Sequence, residues 1–248
     1  MKVSIVTGTY NSEKYIADCV GSIHDQTYPH IEHIIIDGAS KDGTVQRIKE
    51  TPNRVAKLVS EPDKGIYDAM NKGLKMATGD IVGILNSDDF YNSNEVIAMV
   101  VDAFERNAAD CVYGNLYYVD QQRPEIIKRT WTTGAYDPKK GFRTGWHPAH
   151  PSFFVKREVY EKYGYFDEEF KLAADFELML RFLERHKLPA TYIDFPMVRM
   201  RLGGATNKSW KNIVQGNKEC IRAFGKNDLP IPSFYTLHRL LPKLKQYF

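Results

Sequence analysis

The fold is decided by the stretch VSIVTGTYNSEKYIADCVGSIHDQTYPHIEHIIIDG, residues 3–38, which contains a strand, a helix and a second strand in succession. The apolar runs VSIVTGT and IEHIIIDG predict two buried strands. Between them, SEKYIADCVGSIHDQ begins with the N-cap candidate Ser12 and repeats apolar residues at helical spacing. This order predicts parallel strands joined by a right-handed crossover.

The same alternation continues to about residue 90. Further helices are predicted at DGTVQRIKE and GIYDAMNKGLKMA, and further strands at AKLVSE and DIVGIL. Residues 123–150 are irregular and rich in Gly, Pro, Trp and Arg, which favours a long functional loop. We therefore predict an α/β fold with a mostly parallel sheet flanked by helices, one domain over residues 1–205, and a C-terminal helical tail over residues 206–248.

Composition narrows the class of protein. The chain has 248 residues, 43% hydrophobic and 26% charged, which is typical of a globular protein. A formal charge of +3, with basic residues interspersed among acids, does not indicate a nucleic-acid-binding protein. Three distant cysteines form no CxxC pair, so we expect a reducing compartment and neither a zinc site nor a disulfide framework.

The N-terminal stretch and the apolar runs of the sequence bear on where the protein is located. The start MKVSIVTGTYN lacks the apolar core of a signal peptide, and no run approaches the roughly 18 apolar residues of a membrane-spanning helix. We expect a cytoplasmic protein that either stays in solution or rests on the cytoplasmic face of the inner membrane.

Polar residues collect where the predicted strands end. These ends are Thr7–Asn11, Asp37–Asp42, Glu61–Lys64 and Asn86–Asp89, and three of the four carry acids. In open parallel sheets, ligands bind beyond the carboxyl ends of the strands. The pattern therefore predicts one binding site assembled from four loops.

Two neighbouring acids, Asp88 and Asp89, follow the strand DIVGIL. Adjacent carboxylates repel each other unless a cation compensates, and oxygen ligands on a short loop suit Mg²⁺ or Mn²⁺, which would also contact a phosphate. Alternatively, either acid forms an Asx-turn or caps the helix that begins near Ser93.

Asp37 could accept hydrogen bonds from a base or ribose, whereas Asp42 looks like part of a helix cap.

Two further positions have competing interpretations. Lys64 and Gly65 stand at a helix start, where free backbone N–H groups and one cation could meet a diphosphate, although a solvated lysine is the simpler reading. Asp175 occupies an inward position of the helix KLAADFELMLRFL, where a carboxylate could act as a general base. The alternative is a buried salt bridge from Asp175 to Arg181 or Arg199.

Five ordered blocks resemble the inverting family 2 glycosyltransferases of the GT-A fold, over about residues 2–205. The blocks are VSIVTGTYN, IIIDGASKDGT, EPDKGIYDAMNKG, GDIVGILNSDD, and AADFELMLR after HPSFFVKREVYEKYGYFDEEF. The resemblance implies a nucleotide-binding half over residues 1–95 and an acceptor half over residues 96–205. It implies Asp175 as the base that deprotonates the acceptor hydroxyl, and Asp88 with Asp89 as ligands of Mn²⁺ or Mg²⁺. The nucleotide would be held by Thr7, Thr9, Tyr10, Asp37, Asp63, Lys64, Asn86 and Asp88.

One departure from the family pattern is Asn86, which stands where many members have an Asp. Asn keeps an oxygen but loses a charge, which bears on metal affinity. On the acceptor side, the candidates are Trp146, His150 and Arg181. In GWHPAHPSFF, Pro148 separates His147 from His150 and excludes helical ligand geometry, and packing is the simplest role for His147.

The implied activity is metal-dependent, inverting transfer of a sugar from a nucleotide-diphosphate sugar, with UDP expected and GDP or dTDP open. The acceptor would be a hydroxyl of a glycan or lipid-linked saccharide in bacterial cell-surface polysaccharide synthesis. The basic, aromatic end PSFYTLHRLLPKLKQYF could contact an anionic membrane, the domain itself or a second copy of the chain.

Two other classes of protein remain as alternatives. A sugar nucleotidyltransferase would usually have a Gly-rich, basic loop after its first strand, and TGTYNSEKY has none. A catalytically degenerate nucleotide-sugar-binding or scaffold protein on the same fold would be expected to lack the acids, yet Asp37, Asp88 and Asp175 are present.

Overall fold

The computed structural model describes residues 1–203, 210–233 and 235–236. Within these residues there are nine strands and seven α-helices. The strands are β1 (Val3–Thr9), β2 (Ile31–Asp37), β3 (Val55–Ser60), β4 (Ile81–Ile84), β5 (Phe90–Tyr91), β6 (Cys111–Val119), β7 (Ile127–Trp131), β8 (Phe153–Lys156) and β9 (Ala190–Arg201). The helices are α1 (Ile16–His24), α2 (Thr44–Glu50), α3 (Ile66–Met76), α4 (Val96–Arg106), α5 (Arg157–Tyr163), α6 (Ala174–Leu180) and α7 (Trp210–Lys226).

The strands form one sheet in the order β3-β2-β1-β4-β8-β6-β9-β5, with β7 paired to β6. Strand β1 pairs in parallel with β2 and β4, and β2 pairs in parallel with β3. Alternate residues of β1 face opposite sides: Val3 and Ile5 pack with α1 and α4, whereas Val6 packs with α3. Both faces are covered, which explains the continuous apolar runs. The predicted α/β fold is confirmed.

Strand β8 joins the two halves of the sheet. It runs antiparallel to β4, with Ile81 opposite Lys156, and antiparallel to β6 on its other side. The residues that precede β8 therefore lie at the carboxyl end of β4. This adjacency was not foreseen from the sequence, and it places the GWHPAHPS segment beside the Asn86–Asp89 loop.

Two expectations are refined by the structure. Residues 123–150 are not entirely irregular, because Ile127–Trp131 form β7 along β6. The helix carrying Asp175 begins at Ala174 and continues as a π-helical turn over Arg181–Arg185.

Helix α7 confirms a helix in the predicted C-terminal tail, and its buried residues Cys220, Ala223 and Phe224 belong to the core around α6. The three partners predicted for the later segment PSFYTLHRLLPKLKQYF stay open, although one of its described residues, Tyr235, packs against Phe176 and Phe224. Most of PSFYTLHRLLPKLKQYF lies outside the described residues, including all of residues 237–248. Among the residues with described positions, no helix is both long enough and apolar enough to span a bilayer.

Candidate active site

The two neighbouring acids of the loop after β4, Asp88 and Asp89, have different environments. Asp89 is only 1% exposed, its Oδ1 accepts a hydrogen bond from the backbone N–H of Arg201 (3.1 Å), and its Oδ2 accepts one from Asn86 Nδ2 (3.1 Å). Burial, together with the nearby charge of Asp88, raises the pKa of Asp89 well above its usual value. Asp88 is half-buried. Each oxygen of Asp89 thus already accepts one hydrogen bond inside the protein, and metal binding by Asp89 stays a prediction.

Arg201, at the end of β9, holds this loop in place and was missed by sequence reasoning. Its guanidinium donates to the backbone carbonyl of Asp88 (2.6 Å) and forms an ion pair with Asp18. It also lies 5.0 Å from the ring centroids of both Tyr15 and Phe90. Cation–π contacts and a buried hydrogen bond together order the segment that carries Asp88.

His150 links the loop after β4 to the helix that carries Asp175. Its Nδ1 lies 3.1 Å from Asp175 Oδ2, and its Nε2 lies 3.5 Å from Asn86 Nδ2. An amide nitrogen offers only hydrogens, so Nε2 is the acceptor, and the ring proton on Nδ1 is donated to Asp175. His150 therefore connects the loop after β4 with the helix that carries Asp175.

A second donor reaches Asp175 from α3. The hydroxyl of Tyr67 donates to Asp175 Oδ1 at 3.3 Å, so each carboxylate oxygen has one partner. The Asp175 side chain is 23% exposed and that of His150 is 26% exposed, which leaves both accessible from solvent. Tyr67 was not predicted, although it lies in the quoted block GIYDAMNKG.

Neither salt bridge considered for Asp175 is formed. Arg181 instead pairs with Glu177 (3.0 Å) and donates to the backbone carbonyls of Tyr163 and Tyr165. Arg199 donates to Asn92 Oδ1 (2.7 Å) and to the carbonyl of Pro124. The placement of Arg181 on the acceptor side is also corrected, because its guanidinium is committed to these internal partners.

The predicted nucleotide residues fall into two groups, the first of which is buried at the ends of β1 and β2. The Thr7 hydroxyl lies 3.0 Å from His33 Nε2 inside the core, so its side chain is not available to a nucleotide, and that expectation is corrected. The Asp37 carboxylate is fully buried and accepts hydrogen bonds from Ser40 and Ser60, which leaves one lone pair on Oδ1. Asp37 therefore orders the loop that follows β2.

The second group combines a buried hydroxyl with an exposed aromatic ring. Thr9 is 2% exposed, and its Oγ1 has no hydrogen-bond partner among the residues placed by the structure. Tyr10 is 58% exposed. A Cβ atom built on Gly38 would lie 3.4 Å from the Tyr10 ring and 2.4 Å from Asp63 Oδ2, so these three residues adjoin one another. Their arrangement leaves an aromatic face beside a carboxylate at the edge of the sheet.

The start of α3 differs from the expectation of free amides. The N–H of Lys64 donates to Asp68 Oδ2 (2.9 Å), and the N–H of Gly65 donates to Asp63 Oδ1 (2.8 Å). The Lys64 side chain is exposed. A diphosphate would therefore meet the Lys64 ammonium rather than these two backbone groups.

Trp146 serves mainly in packing. Its Nε1 donates to the carbonyl of Thr133 (2.6 Å), and its ring stacks on Tyr136 with centroids 5.4 Å apart. His147 lies edge-on to Trp131 and to Phe176, at 5.1 and 5.5 Å, which matches the packing role expected for it.

The loop after β4 suits a divalent cation that is held by few protein ligands. Across residues 1–203, 210–233 and 235–236, no group of three or more His, Cys, Asp or Glu side chains is arranged to hold a metal. Asn86 Oδ1 accepts no hydrogen bond within the described residues, and it lies in the same loop as the half-buried Asp88. Mg²⁺ is commonly bound by one or two protein oxygens together with substrate phosphates, and these residues suit that mode.

Comparisons with known proteins agree on one family. The model of glycosyl transferase family 2 matches residues 4–164. An uncharacterized glycosyltransferase of Mycobacterium tuberculosis is 31% identical over 180 residues, which cover 72% of this chain and 68% of that protein. The putative teichuronic acid biosynthesis glycosyltransferase TuaG of Bacillus subtilis is 36% identical over 110 residues, 43% of this chain and 44% of TuaG.

Solved structures show the same fold at lower identity. Staphylococcus aureus TarS superposes with a TM-score of 0.70 at 19% identity, covering 93% of this chain and 41% of that chain. Glucosyl-3-phosphoglycerate synthase of M. tuberculosis superposes with a TM-score of 0.64 at 18% identity, covering 92% of this chain and 81% of that chain. The aligned residues thus cover less than half of TarS and less than half of TuaG.

Proposed function

Because the chain belongs to glycosyl transferase family 2 and has its GT-A fold, we propose that it transfers a sugar from a UDP-sugar to a hydroxyl of a glycan or lipid-linked acceptor in cell-surface polysaccharide synthesis. The observation that supports this proposal is the contact of His150 with both Asp175 and Asn86, which brings the proposed base close to the loop that follows β4. The proposed setting is the cytoplasm.

The choice of donor is supported by the neighbours. TarS has been crystallised with UDP and with UDP-GlcNAc, and glucosyl-3-phosphoglycerate synthase with UDP and Mn²⁺. A mannosyltransferase of Pyrobaculum calidifontis with the same fold was crystallised with GDP-Man and Mn²⁺, so GDP is the alternative to test. On this chain, the exposed ring of Tyr10 offers a stacking surface for the base, with Asp63 and the Thr9 hydroxyl beside it.

In the proposed reaction, Asp175 accepts the proton of the acceptor hydroxyl while the acceptor oxygen attacks C1 of the sugar. The new C1–O bond forms as the bond from C1 to the diphosphate oxygen breaks, and the electron pair leaves with the nucleotide diphosphate. Attack from the face opposite the leaving group inverts the configuration at C1. Tyr67 and His150 each donate to one oxygen of Asp175, which orients the carboxylate toward the acceptor.

The leaving diphosphate carries negative charge that must be stabilised. A Mn²⁺ or Mg²⁺ ion, when bound, would supply that stabilisation as a Lewis acid, held by Asp88 and Asn86 Oδ1 together with phosphate oxygens. The exposed ammonium of Lys64, at the start of α3, is the proposed second partner of the diphosphate.

A test of the proposal measures two properties of the full chain. The first is thermal stabilisation by UDP, GDP and dTDP with and without Mn²⁺ or Mg²⁺, since a ligand that binds the native state raises its stability. The second is the rate of nucleotide release from UDP- and GDP-sugars. We expect stabilisation by one nucleotide diphosphate with metal, and release of that nucleotide.

Asp175→Asn should lower nucleotide release by about 100-fold or more, the usual contribution of a general base, while the nucleotide-induced thermal shift is unchanged. Asp88→Asn should abolish the metal-dependent part of the shift. The matched control is Asp102→Asn, at an acid 52% exposed on α4 that pairs with Arg106. A chain with no nucleotide binding and no turnover of any donor would favour the scaffold alternative.

A further inference from the structure

Helix α7 contributes a buried carboxylate to the segment that leads into Asp175. Glu219 is 3% exposed, and its Oε2 accepts hydrogen bonds from the backbone N–H groups of Leu172 (2.8 Å) and Ala173 (3.0 Å). Its Oε1 accepts one from Gln215 Nε2 (3.0 Å). Two of these three hydrogen bonds come from backbone N–H groups that directly precede α6, so the carboxylate of Glu219 is directed at the start of that helix.

The start of α6 needs such a partner. The first N–H groups at a helix start have no intrahelical acceptor, and a Ser, Thr, Asp or Asn side chain at the N-cap usually supplies one. Here the N-cap is Ala173, which has no oxygen in its side chain. Glu219, 46 residues further along the chain, instead holds the N-cap residue itself, by accepting a hydrogen bond from the backbone N–H of Ala173.

A second contact, one turn later in α6, comes from Asn227, the residue that directly follows α7. Asn227 is 5% exposed, and its Nδ2 donates to Glu177 Oε1 at 3.0 Å. Phe224 of α7 also packs against Phe176, with ring centroids 6.1 Å apart. Asp175 thus lies between two points of contact: Glu219 of α7 holds the backbone just before α6, and Phe224 and Asn227 contact side chains within α6.

We propose that Glu219 is a positioning residue for the reaction, because it sets where α6 begins and thereby where Asp175 stands between Tyr67 and His150. The inference rests on the proposed role of Asp175 as the base. It also means that α7, which lies beyond the residues matched by the family model, is part of the catalytic apparatus. Displacing a reacting group by about 1 Å can lower a rate by about 100-fold, so even a small shift of α6 would be measurable.

The experiment compares Glu219→Ala and Glu219→Gln in the full chain. Glutamine fills the same space and keeps an oxygen acceptor without charge, whereas alanine removes the acceptor. The control is Ile48→Ala in α2, a fully packed apolar residue on the other side of the sheet that lowers stability without touching α6. Amide deuterium uptake over residues 170–180, donor KM and kcat are measured for each variant well below its melting temperature.

In Glu219→Ala we expect deuterium uptake over residues 170–180 to be at least about 10-fold faster, kcat to fall by about 10- to 100-fold, and donor KM to stay within about 3-fold. Glu219→Gln should lie between alanine and wild type, and Ile48→Ala should change neither uptake in this segment nor kcat.

Unchanged uptake over residues 170–180 in Glu219→Ala would overturn the inference, as would wild-type kcat in that variant or an equal loss of kcat in Ile48→Ala. Failure of the proposed function is separate: a wild-type chain that turns over no nucleotide sugar would refute the transferase, while the deuterium uptake would still decide whether Glu219 orders this segment.

Discussion

Replacing Tyr67 with Phe removes a single oxygen from contact with Asp175 and leaves the aromatic ring in place. The ring packs against Phe166 with centroids 5.5 Å apart, so the variant should keep the local packing. Burial, together with the charge of Asp175, raises the pKa of Tyr67 well above its usual value. The hydroxyl is therefore protonated, and available as a donor, at every pH at which the protein is folded and active.

The magnitude follows from the geometry of this hydrogen bond. A hydrogen bond to a charged group contributes about 1.5–3 kcal/mol at normal length. The Tyr67 bond is 3.3 Å long, beyond the usual range for O–H···O contacts, so we take a value below that range, about 1 kcal/mol. If the bond orients Asp175 in the transition state, its loss lowers kcat by about 5-fold, and we expect the free energy of unfolding to change by less than about 1 kcal/mol.

The assay is the initial rate of nucleotide release at saturating donor, paired with the affinity for the nucleotide diphosphate by calorimetry. Tyr163→Phe is the matched control, because the Tyr163 hydroxyl makes no hydrogen bond within the described part of the chain. We expect a lower kcat with unchanged nucleotide affinity in Tyr67→Phe alone. Wild-type kcat in that variant, or an equal fall in affinity, would refute the role given to Tyr67.

Three further changes test other parts of the site and fold. Gly38→Ala places a Cβ 2.4 Å from Asp63 Oδ2 and should displace that side chain. The affinity for UDP, measured by calorimetry, should then fall by about 5-fold, which corresponds to about 1 kcal/mol. An unchanged affinity would show that Asp63 is not part of the nucleotide site. In Arg201→Lys, the lysine cannot keep both the hydrogen bond to the Asp88 carbonyl and the ion pair with Asp18. The free energy of unfolding, measured with denaturant, should fall by about 2 kcal/mol, and Mn²⁺ binding should weaken. Normal Mn²⁺ binding would contradict the proposed effect of Arg201 on Asp88. Burial lowers the pKa of His33 to about 3, so the unfolded chain binds more protons than the native one between pH 3 and 6.5, and stability falls with falling pH. Between pH 7 and pH 5, this effect of His33 should lower the free energy of unfolding by about 2 kcal/mol, and it should be absent in His33→Leu. If both proteins lose stability equally over this range, His33 is not the cause.

Features that depend on local patterning could be predicted from the sequence. The strands of the first half follow from short apolar runs, and their carboxyl ends follow from the parallel order, so the loop around Asp88 was placed correctly. The position of Thr7 was also predictable: residues two apart in a strand share a face, and Thr7 shares that of Ile5. Its burial against His33 is what this alternation requires.

Features that depend on distant pairing could not be predicted in this way. His150 meets Asn86 because β8 runs antiparallel beside β4, a pairing between segments about 70 residues apart that leaves no mark on periodicity. The different environments of Asp88 and Asp89 depend on Arg201, 112 residues beyond Asp89. The same holds for Glu219, whose partner backbone groups lack any sequence signature of their own.

The position of β8 between β4 and β6 has a mechanical consequence. Because hydrogen bonds run without interruption from β3 through β8 to β9, the donor-side and acceptor-side portions of the molecule cannot swing apart like hinged jaws without breaking a strand ladder. In the proposed reaction, substrate binding and product release would then depend on movements of surface loops above a rigid sheet. The sheet therefore fixes the spacing between the loop proposed to bind a cation and the proposed base, Asp175, before any substrate binds.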